Sequence, residues 1–343
     1  YDRFTTYEGK SANSNYTNVQ LYLKTTEDEV EEPTLVEGIK ISHTLNLASD
    51  ISINFAVATS VLNAYDSYYL ECKLPVYENS VISGYNIVEV QPVLNGNYYY
   101  FTLMGVTAVM MNDMVEATLH MTKGGEQFVS AVDSYSVGTY AYSQLNKSNA
   151  SASLKALCAD LLRYGACAQI YKNYRTDALV NASMTPAMIA LLSDIEAVTF
   201  NNVKEEIVQI DNPTVLLRGR SLSLESKVTL NYILNLSNYK GKLEDLNVRV
   251  SYTDIQGKTK TVVLTDAVVY DAEQNFYSFS FDSLLAAELR TVLTAVVYEG
   301  DTQVSNAFTY TIDTYGNGKK GTLLDLCKAL MAYSDTALAY FAG

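Results

Sequence analysis

The chain contains the same unit twice. His43 to Val57 lies without a gap on Arg220 to Leu234, with Leu45, Leu47, Ser49 and Asn54 recurring as Leu222, Leu224, Ser226 and Asn231. Between them Ile51, Ile53, Phe55 and Val57 meet Val228, Leu230, Tyr232 and Leu234. An apolar side chain at every second residue marks a half-buried strand. Upstream, Pro33, Thr34 and Leu35 answer Pro213, Thr214 and Val215.

The match continues in order, which chance similarity between short apolar runs would not do. Leu70, Cys72, Leu74 and Val76 parallel Leu246, Val248, Val250 and Tyr252, while Tyr99, Phe101 and Leu103 parallel Tyr277, Phe279 and Phe281. Val115 to Leu119 aligns with Val292 to Val296, and Val129 to Tyr140 with Val304 to Tyr315. Each copy then ends in Leu-Cys followed by Tyr, Ala and Tyr: Leu157, Cys158, Tyr164, Ala168, Tyr171 against Leu326, Cys327, Tyr333, Ala337, Tyr340. Spacings of three, four and seven put Leu154, Leu157, Leu161, Tyr164, Ala168 and Tyr171 on one helical stripe, expected to bury on its own sheet.

The pattern predicts a mainly β chain with some α: two tandem Ig-like β-sandwich domains, each followed by an amphipathic C-terminal helix. The expected boundaries are a polar, acidic N-terminal arm at 1–35 with one strand at Val19 to Leu23, repeat 1 at 36–175, a connector at 176–210 and repeat 2 at 211–343. In the connector, Thr185 and Pro186 predict a capped apolar helix running to about Val198.

With 24 basic against 38 acidic residues the net charge is −14, so the summed field repels nucleic acid and anionic lipid surfaces. The longest apolar runs, such as Val106 to Met111, fall far short of the roughly 20 residues that a membrane helix needs. The first residues, Tyr1, Asp2, Arg3 and Phe4, show no charged start followed by an apolar stretch, so any signal peptide was removed or lies outside this sequence.

The runs Val106 to Ala108, Asn112 to Leu119, Tyr135 to Tyr140 and Leu161 to Tyr171 resemble repeated modules in large secreted, cell-surface proteins of Gram-positive gut bacteria. The resemblance covers 36–175 and 211–343 and is stronger in the first helix, because Ser334, Asp335 and Thr336 replace Gly165, Ala166 and Cys167 in the second. It implies an extracellular or cell-surface location and a non-catalytic, modular role, and it transfers no site residue.

Motifs for chemistry are few. Gly316, Gly318 and Gly321 satisfy a dinucleotide-type glycine spacing, but the fingerprint needs a βαβ unit with an acidic residue on a second strand. The first repeat has no glycine in the corresponding loop, Ala141 to Ala152; the segment reads as a strand-to-helix loop with Thr322 as its cap. His43 and His120, the only histidines, have Arg220 and Val297 as counterparts and read as exposed strand residues. Two histidines alone complete neither a catalytic base system nor a zinc site. Cys72 stands at a valine-type position, Cys158 and Cys327 are equivalent, and Cys158 and Cys167 are about two and a half helical turns apart, on opposite sides. All four cysteines are therefore expected as free, mostly buried thiols. No loop alternates oxygen ligands as calcium sites do, so neither metal nor cofactor is predicted.

Tyrosine is the excess that needs an account, with 28 in the chain. Tyr99, Tyr232, Tyr252 and Tyr277 fall on inward phases. Tyr98 and Tyr100 flank Tyr99 and point outward, as does Tyr69 beside Leu70; these three are the candidate ligand-binding residues. Alternate residues of one strand are about 7 Å apart, a spacing on which a sugar chain or an extended peptide can rest. Ordinary outer-face tyrosines are the competing account. The expected function is a non-catalytic extracellular structural, adhesion or display module, monomeric, with polysaccharide or another cell-surface protein as partner. A carbohydrate-binding module using the exposed tyrosines and an unrecognised hydrolase stay open beside it.

Overall fold

A computed structural model of the chain describes residues 32–48, 51–224 and 227–342. Most of the acidic arm, the strand expected at Val19 to Leu23 and the matched Ser49/Ser226 pair lie outside the described residues. The first repeat forms β1 (Thr34–Val36), β2 (Ser42–Asn46), β3 (Ser52–Ala58), a turn of helix α1 (Thr59–Leu62), β4 (Ser67–Glu78), β5 (Val81–Val90), β6 (Pro92–Asn95), β7 (Tyr98–Leu103), β8 (Val115–Lys123), β9 (Glu126–Ser130) and β10 (Asp133–Tyr135). Helices α2 (Val137–Asn146) and α3 (Ala152–Lys172) follow. Ser151 caps α3 by accepting from Leu154 N at 3.1 Å. Asn173 ends the helix in the left-handed region at φ +51°, which asparagine tolerates better than most residues.

The strands form two sheets, ordered β1-β9-β8-β4-β5, with β10 also on β8, and β2-β3-β7-β6. Tyr68 on β4 meets Tyr99 on β7 edge-on at 5.0 Å, so the two inner faces look at each other. Phe55, Leu70, Cys72, Phe101 and Leu103 are buried between them.

The connector supplies α4 (Pro186–Ile189) and β11 (Lys204–Ile207), and the second repeat supplies β12 (Leu216–Leu224), β13 (Val228–Asn235), β14 (Leu246–Thr253), β15 (Thr259–Leu264), β16 (Ala267–Asp271), β17 (Phe276–Phe281), β18 (Leu293–Glu299), β19 (Thr302–Gln303), β20 (Ala307–Tyr310) and α5 (Gly321–Phe341). Its sheets run β11-β20-β18-β14-β15, with β19 on β18, and β12-β13-β17-β16. The strand order thus recurs, and the chain is a mainly β molecule of two lobes, each a pair of sheets.

Small hydrogen bonds recur with it. Thr102 Oγ1 donates to Asn54 Oδ1 at 2.7 Å, and Ser280 Oγ donates to Asn231 Oδ1 at 2.7 Å. Where pairing with the central strand passes from one short strand to the next, a buried serine fills the gap. Ser130 Oγ accepts from Leu119 N at 3.0 Å and donates to Ala131 O at 2.8 Å; Ser305 Oγ accepts from Val297 N at 2.8 Å and donates to Asn306 O at 2.8 Å. These pairs make Leu119 equivalent to Val297, and they move the sequence alignment of this strand by one residue. Ladder register then makes Cys72, opposite Ala117, the counterpart of Val250, opposite Ala295. His120 likewise answers to Tyr298. Both serines are buried, so Ser130→Ala and Ser305→Ala each leave a buried N–H unpaired. Each substitution is expected to cost about 1–3 kcal/mol, by a similar amount in the two lobes, in urea unfolding.

Edges and connector depart from expectation. Thr34 and Leu35, assigned to the polar arm, belong to β1, which lies parallel to β9 with Leu35 opposite Val129. In the second lobe only Thr214 N and Val215 N reach the equivalent Val304 O, both at 3.1 Å, and β11 occupies the edge by pairing antiparallel with β20. The connector helix stops at Ile189 instead of running to Val198. Asp160 on α3 takes both Ser193 N (3.3 Å) and Ser193 Oγ (2.6 Å), and Arg163 donates to Ser193 O at 2.7 Å. This tertiary grip overrides the local helical preference of the apolar run.

The closing helices do not bury their stripes chiefly on their own sheets. α3 and α5 pack on each other at the seam between the lobes, and Tyr164 stacks on Tyr333 with centroids 5.9 Å apart and planes 4° from parallel. These two tyrosines are equivalent positions of the repeat. A cavity of about 40 Å³ beside them is lined by Ile51 and its equivalent Val228, and by Ala108 and Ala286, which take the same place before the returning strand. Equivalent residues facing each other across one point mark an approximate two-fold relation. Tyr333 Oη donates to Leu47 O at 3.2 Å, and Ala286 N donates to Ala48 O at 2.7 Å, which ties the second lobe to the first.

Candidate functional site

Tyr98 and Tyr100 occupy the outer face of the β2-β3-β7-β6 sheet because Phe101 and Leu103, on the other phase of β7, are fully buried. Tyr98 is 43 % exposed and Tyr100 half-buried. Their ring centroids are 6.4 Å apart, and the planes are tilted by 59°. Ala58 and Ala56 stand opposite them on β3, and Asn95 and Val93 on β6. Small neighbours on one side leave the rings standing above the sheet. Further along the same face lies the Thr102/Asn54 hydrogen bond, which adds a hydroxyl and an amide in line with the rings. The arrangement offers two apolar ring faces with adjacent polar groups, the combination that holds an amphipathic ring or an extended chain.

The corresponding place in the second lobe is lined differently, around a hollow of about 310 Å³ bordered by Arg218, Ile233, Tyr270, Asp271 and Phe276. There Phe276 and Ile233 are buried, and the Arg218 guanidinium lies 5.7 Å from the Phe276 ring centroid.

Tyr69 does not join the pair. It projects from β4, in the opposing sheet, on the face away from Tyr68 and Leu70. With the inner faces turned toward one another, the outer face that carries Tyr69 is on the far side of the lobe from Tyr98 and Tyr100. Tyr69 stacks on His120 with centroids 4.8 Å apart and planes 4° from parallel. Burial, then Glu89 and Glu71, push its phenol above the usual tyrosine range. Strand alternation separates inward from outward residues on each strand, but it does not say which sheet a strand joins.

Both histidines are half-buried, not exposed. His120 is covered by Tyr69, and its Nε2 is buried without a hydrogen-bond partner. His43 Nε2 pairs with the Asp133 carboxylate, while its ring stacks on Tyr135 at 4.0 Å and meets Phe55 edge-on at 5.5 Å. This pair joins β2 of one sheet to β10 of the other. The sequence held a signal for it: the counterpart of His43 is Arg220, whose guanidinium lies 5.0 Å from the Tyr310 ring centroid. Both lobes therefore set a cation-forming side chain against the equivalent tyrosine.

The glycine-rich loop serves packing. A Cβ on Gly316 would sit 2.4 Å from the Phe200 ring, so glycine lets the connector close on the second lobe. Helix α5 begins at Gly321 behind Lys320, with no side-chain cap, rather than behind Thr322. All four cysteines are free thiols, with Cys72, Cys158 and Cys327 buried and Cys167 half-buried.

No family model and no curated protein matches the chain. Among solved structures, a family 64 laminaripentaose-producing β-1,3-glucanase from Paenibacillus barengoltzii, complexed with laminarihexaose, aligns at 8% identity and TM-score 0.20, covering 81% of this chain and 53% of that one. TarS from S. aureus aligns at 10% identity and TM-score 0.16, covering 78% of this chain and 39% of that one. The chain thus spans about half and two-fifths of those proteins, and neither likeness carries an argument about fold or activity.

Proposed function

We propose that the chain is a non-catalytic module of a secreted or cell-surface protein, in which two Ig-like sandwiches are locked into one stiff unit for adhesion or display. The observation that carries this reading is the seam: stacked Tyr164 and Tyr333 and the Tyr333 and Ala286 hydrogen bonds into the first lobe hold the lobes in one orientation. A spacer or display element needs that stiffness, and a flexible linker between two independent domains would not supply it.

A second reading, carbohydrate binding, is favoured by the open Tyr98/Tyr100 pair in the first lobe. Positions needed only for folding persist in both copies, as Tyr99 and Phe101 persist in Tyr277 and Phe279; the outward neighbours change to Phe276 and Ser278. An exposed ring pair present in one lobe and replaced in the other is the expected trace of a contact surface kept in one copy. In a panel of plant, host and bacterial glycans, wild type is expected to bind at least one, and Tyr98→Ala/Tyr100→Ala to lose at least about tenfold in affinity with an unchanged thermal melt, since aromatic stacking contributes about 1 kcal/mol or more per ring. Equal binding by the double variant removes the carbohydrate reading.

A further inference from the structure

We propose that the hollow on the outer face of the β12-β13-β17-β16 sheet binds an acidic sugar, with a uronic acid at the end of a glycan chain as its occupant. Both edge strands of that sheet are irregular at the hollow. The β12–β13 ladder shifts between Leu217 and Gly219, and the β16–β17 ladder shifts between Val269 and Asp271. Such a bulge sets two consecutive residues opposite one and re-aims a side chain, a device common beside functional sites. The residues so placed, Arg218 and Gly219 on β12 and Tyr270 and Asp271 on β16, all line the hollow.

Duplication supplies the control. In the first lobe the ladders of β2 with β3 and of β6 with β7 run without a shift. Ladder register makes Val269 the counterpart of Leu94 and Asp271 the counterpart of Asn95, so Tyr270 is a residue that the second lobe adds. Ile233 likewise takes the place of Ala56. The strand order does not require the two bulges, because the first lobe builds it without them.

The walls select the ligand. Arg218 is exposed, lies 5.7 Å from the Phe276 ring centroid and forms no ion pair among the described residues. A guanidinium is weakly hydrated and grips a carboxylate through two parallel hydrogen bonds. On the opposite edge Asp271 is held by Gln274, whose N and Nε2 donate to its two oxygens at 3.1 and 3.0 Å. The remaining lone pairs of that carboxylate accept hydroxyl donors. Tyr270, 59 % exposed, offers a ring face, and buried Ile233 and Phe276 give an apolar floor. A Cβ on Gly219 would meet no atom within 4 Å, so the space above it is open. A cation for an acid group, a carboxylate for hydroxyls and an aromatic face for a C–H-rich ring together describe a uronic acid. A neutral sugar leaves Arg218 unanswered, and an aromatic acid brings no hydroxyls to Asp271. The volume of about 310 Å³ is at the low end of the roughly 300–1,000 Å³ of small-molecule sites, which suits a chain end rather than a long segment. The Tyr98/Tyr100 pair belongs to the other lobe, so binding there and binding here are independent results.

Saturation-transfer NMR of the whole chain with glucuronic and galacturonic acid tests the proposal. The methyl esters of both acids, the neutral parent sugars and benzoate serve as controls. At least one uronic acid is expected to bind, its ester and its neutral parent at least about tenfold more weakly, because without the charge Arg218 stays unanswered. Added salt should weaken the binding by screening. Arg218→Gln and Tyr270→Ala, both at exposed positions, and Gly219→Leu, which fills the hollow, are each expected to weaken it at least about tenfold with unchanged thermal melts. Tyr98→Ala/Tyr100→Ala should leave it unchanged. No signal from either acid, an ester or benzoate that binds as well as the acid, or binding indifferent to both Arg218→Gln and Gly219→Leu overturns the proposal.

Discussion

Tyr333→Ala is expected to destabilise the chain by about 3–5 kcal/mol, the range for removing a buried aromatic side chain, and to split one unfolding transition into two. Tyr333 is buried at the seam, stacked on Tyr164, and its hydroxyl reaches Leu47 O. Removing the ring enlarges the cavity already beside it and cuts a direct tie from α5 to the first lobe. Calorimetry of wild type should show a single cooperative transition, because neither lobe can leave without exposing the seam. In Tyr333→Ala the first and second lobes should melt separately. Tyr333→Phe keeps the stack and loses the hydrogen bond, so about 1 kcal/mol is expected, with one transition retained. A single transition in Tyr333→Ala would show that the seam is not what couples the lobes.

Raising the pH is expected to unfold the chain cooperatively at about pH 11. Burial pushes the Cys72 and Cys158 thiols up to about 12 and Cys327 to about 11. Burial also pushes the Tyr140 and Tyr310 phenols to about 12 and holds Tyr232 and Tyr333 above the usual tyrosine range. Each of these groups keeps its proton in the folded chain at a pH where the unfolded chain gives it up. The unfolded state therefore binds fewer protons, and stability falls as pH rises from about 9, where thiols first ionise in the unfolded chain, through the folded values. Three thiols alone give a slope of about 4 kcal/mol per pH unit, enough to exhaust the roughly 5–15 kcal/mol of an ordinary fold within a few units. Circular dichroism and the tyrosinate absorbance contributed by these buried tyrosines should change together in one sharp step. A gradual titration of all tyrosines with the circular dichroism intact would contradict their burial.

Much of the fold was legible because duplication gives the sequence an internal reference. Alternation in the segments around Phe55 and Tyr232 predicted strands, and repetition predicted that both lobes share one strand order, as the ladders do. What each helix packs against was not legible. A stripe such as Leu157, Leu161 and Tyr164 says that a face must be buried, not by what, and here the opposite helix takes it. Off-stripe residues hid the connector's role: Asp160 and Gln169 look like solvent-facing polar positions but are buried, with Val180 N donating to Gln169 Oε1 at 2.8 Å and Ser193 bound to Asp160. Gly165 belongs to the same account, since a Cβ there would come within 2.9 Å of Val180. Its counterpart is Ser334, and the neighbouring Asp335 is paired with Arg290. Of the candidate site, the outward direction of Tyr98 and Tyr100 was readable from alternation. Their separation from Tyr69 was not, because membership of a sheet is decided by pairing far along the chain.

The meeting of Tyr164 with its own counterpart fixes how such repeats can be multiplied. A head-to-tail contact leaves a fresh surface at each end and can add units without limit, whereas a contact between equivalent faces consumes both at once. A third repeat appended to this chain would find the helix faces of the first two already covered. Longer arrays built from this repeat should therefore grow by even counts, as a string of closed doublets with hinges between them rather than as a uniform rod.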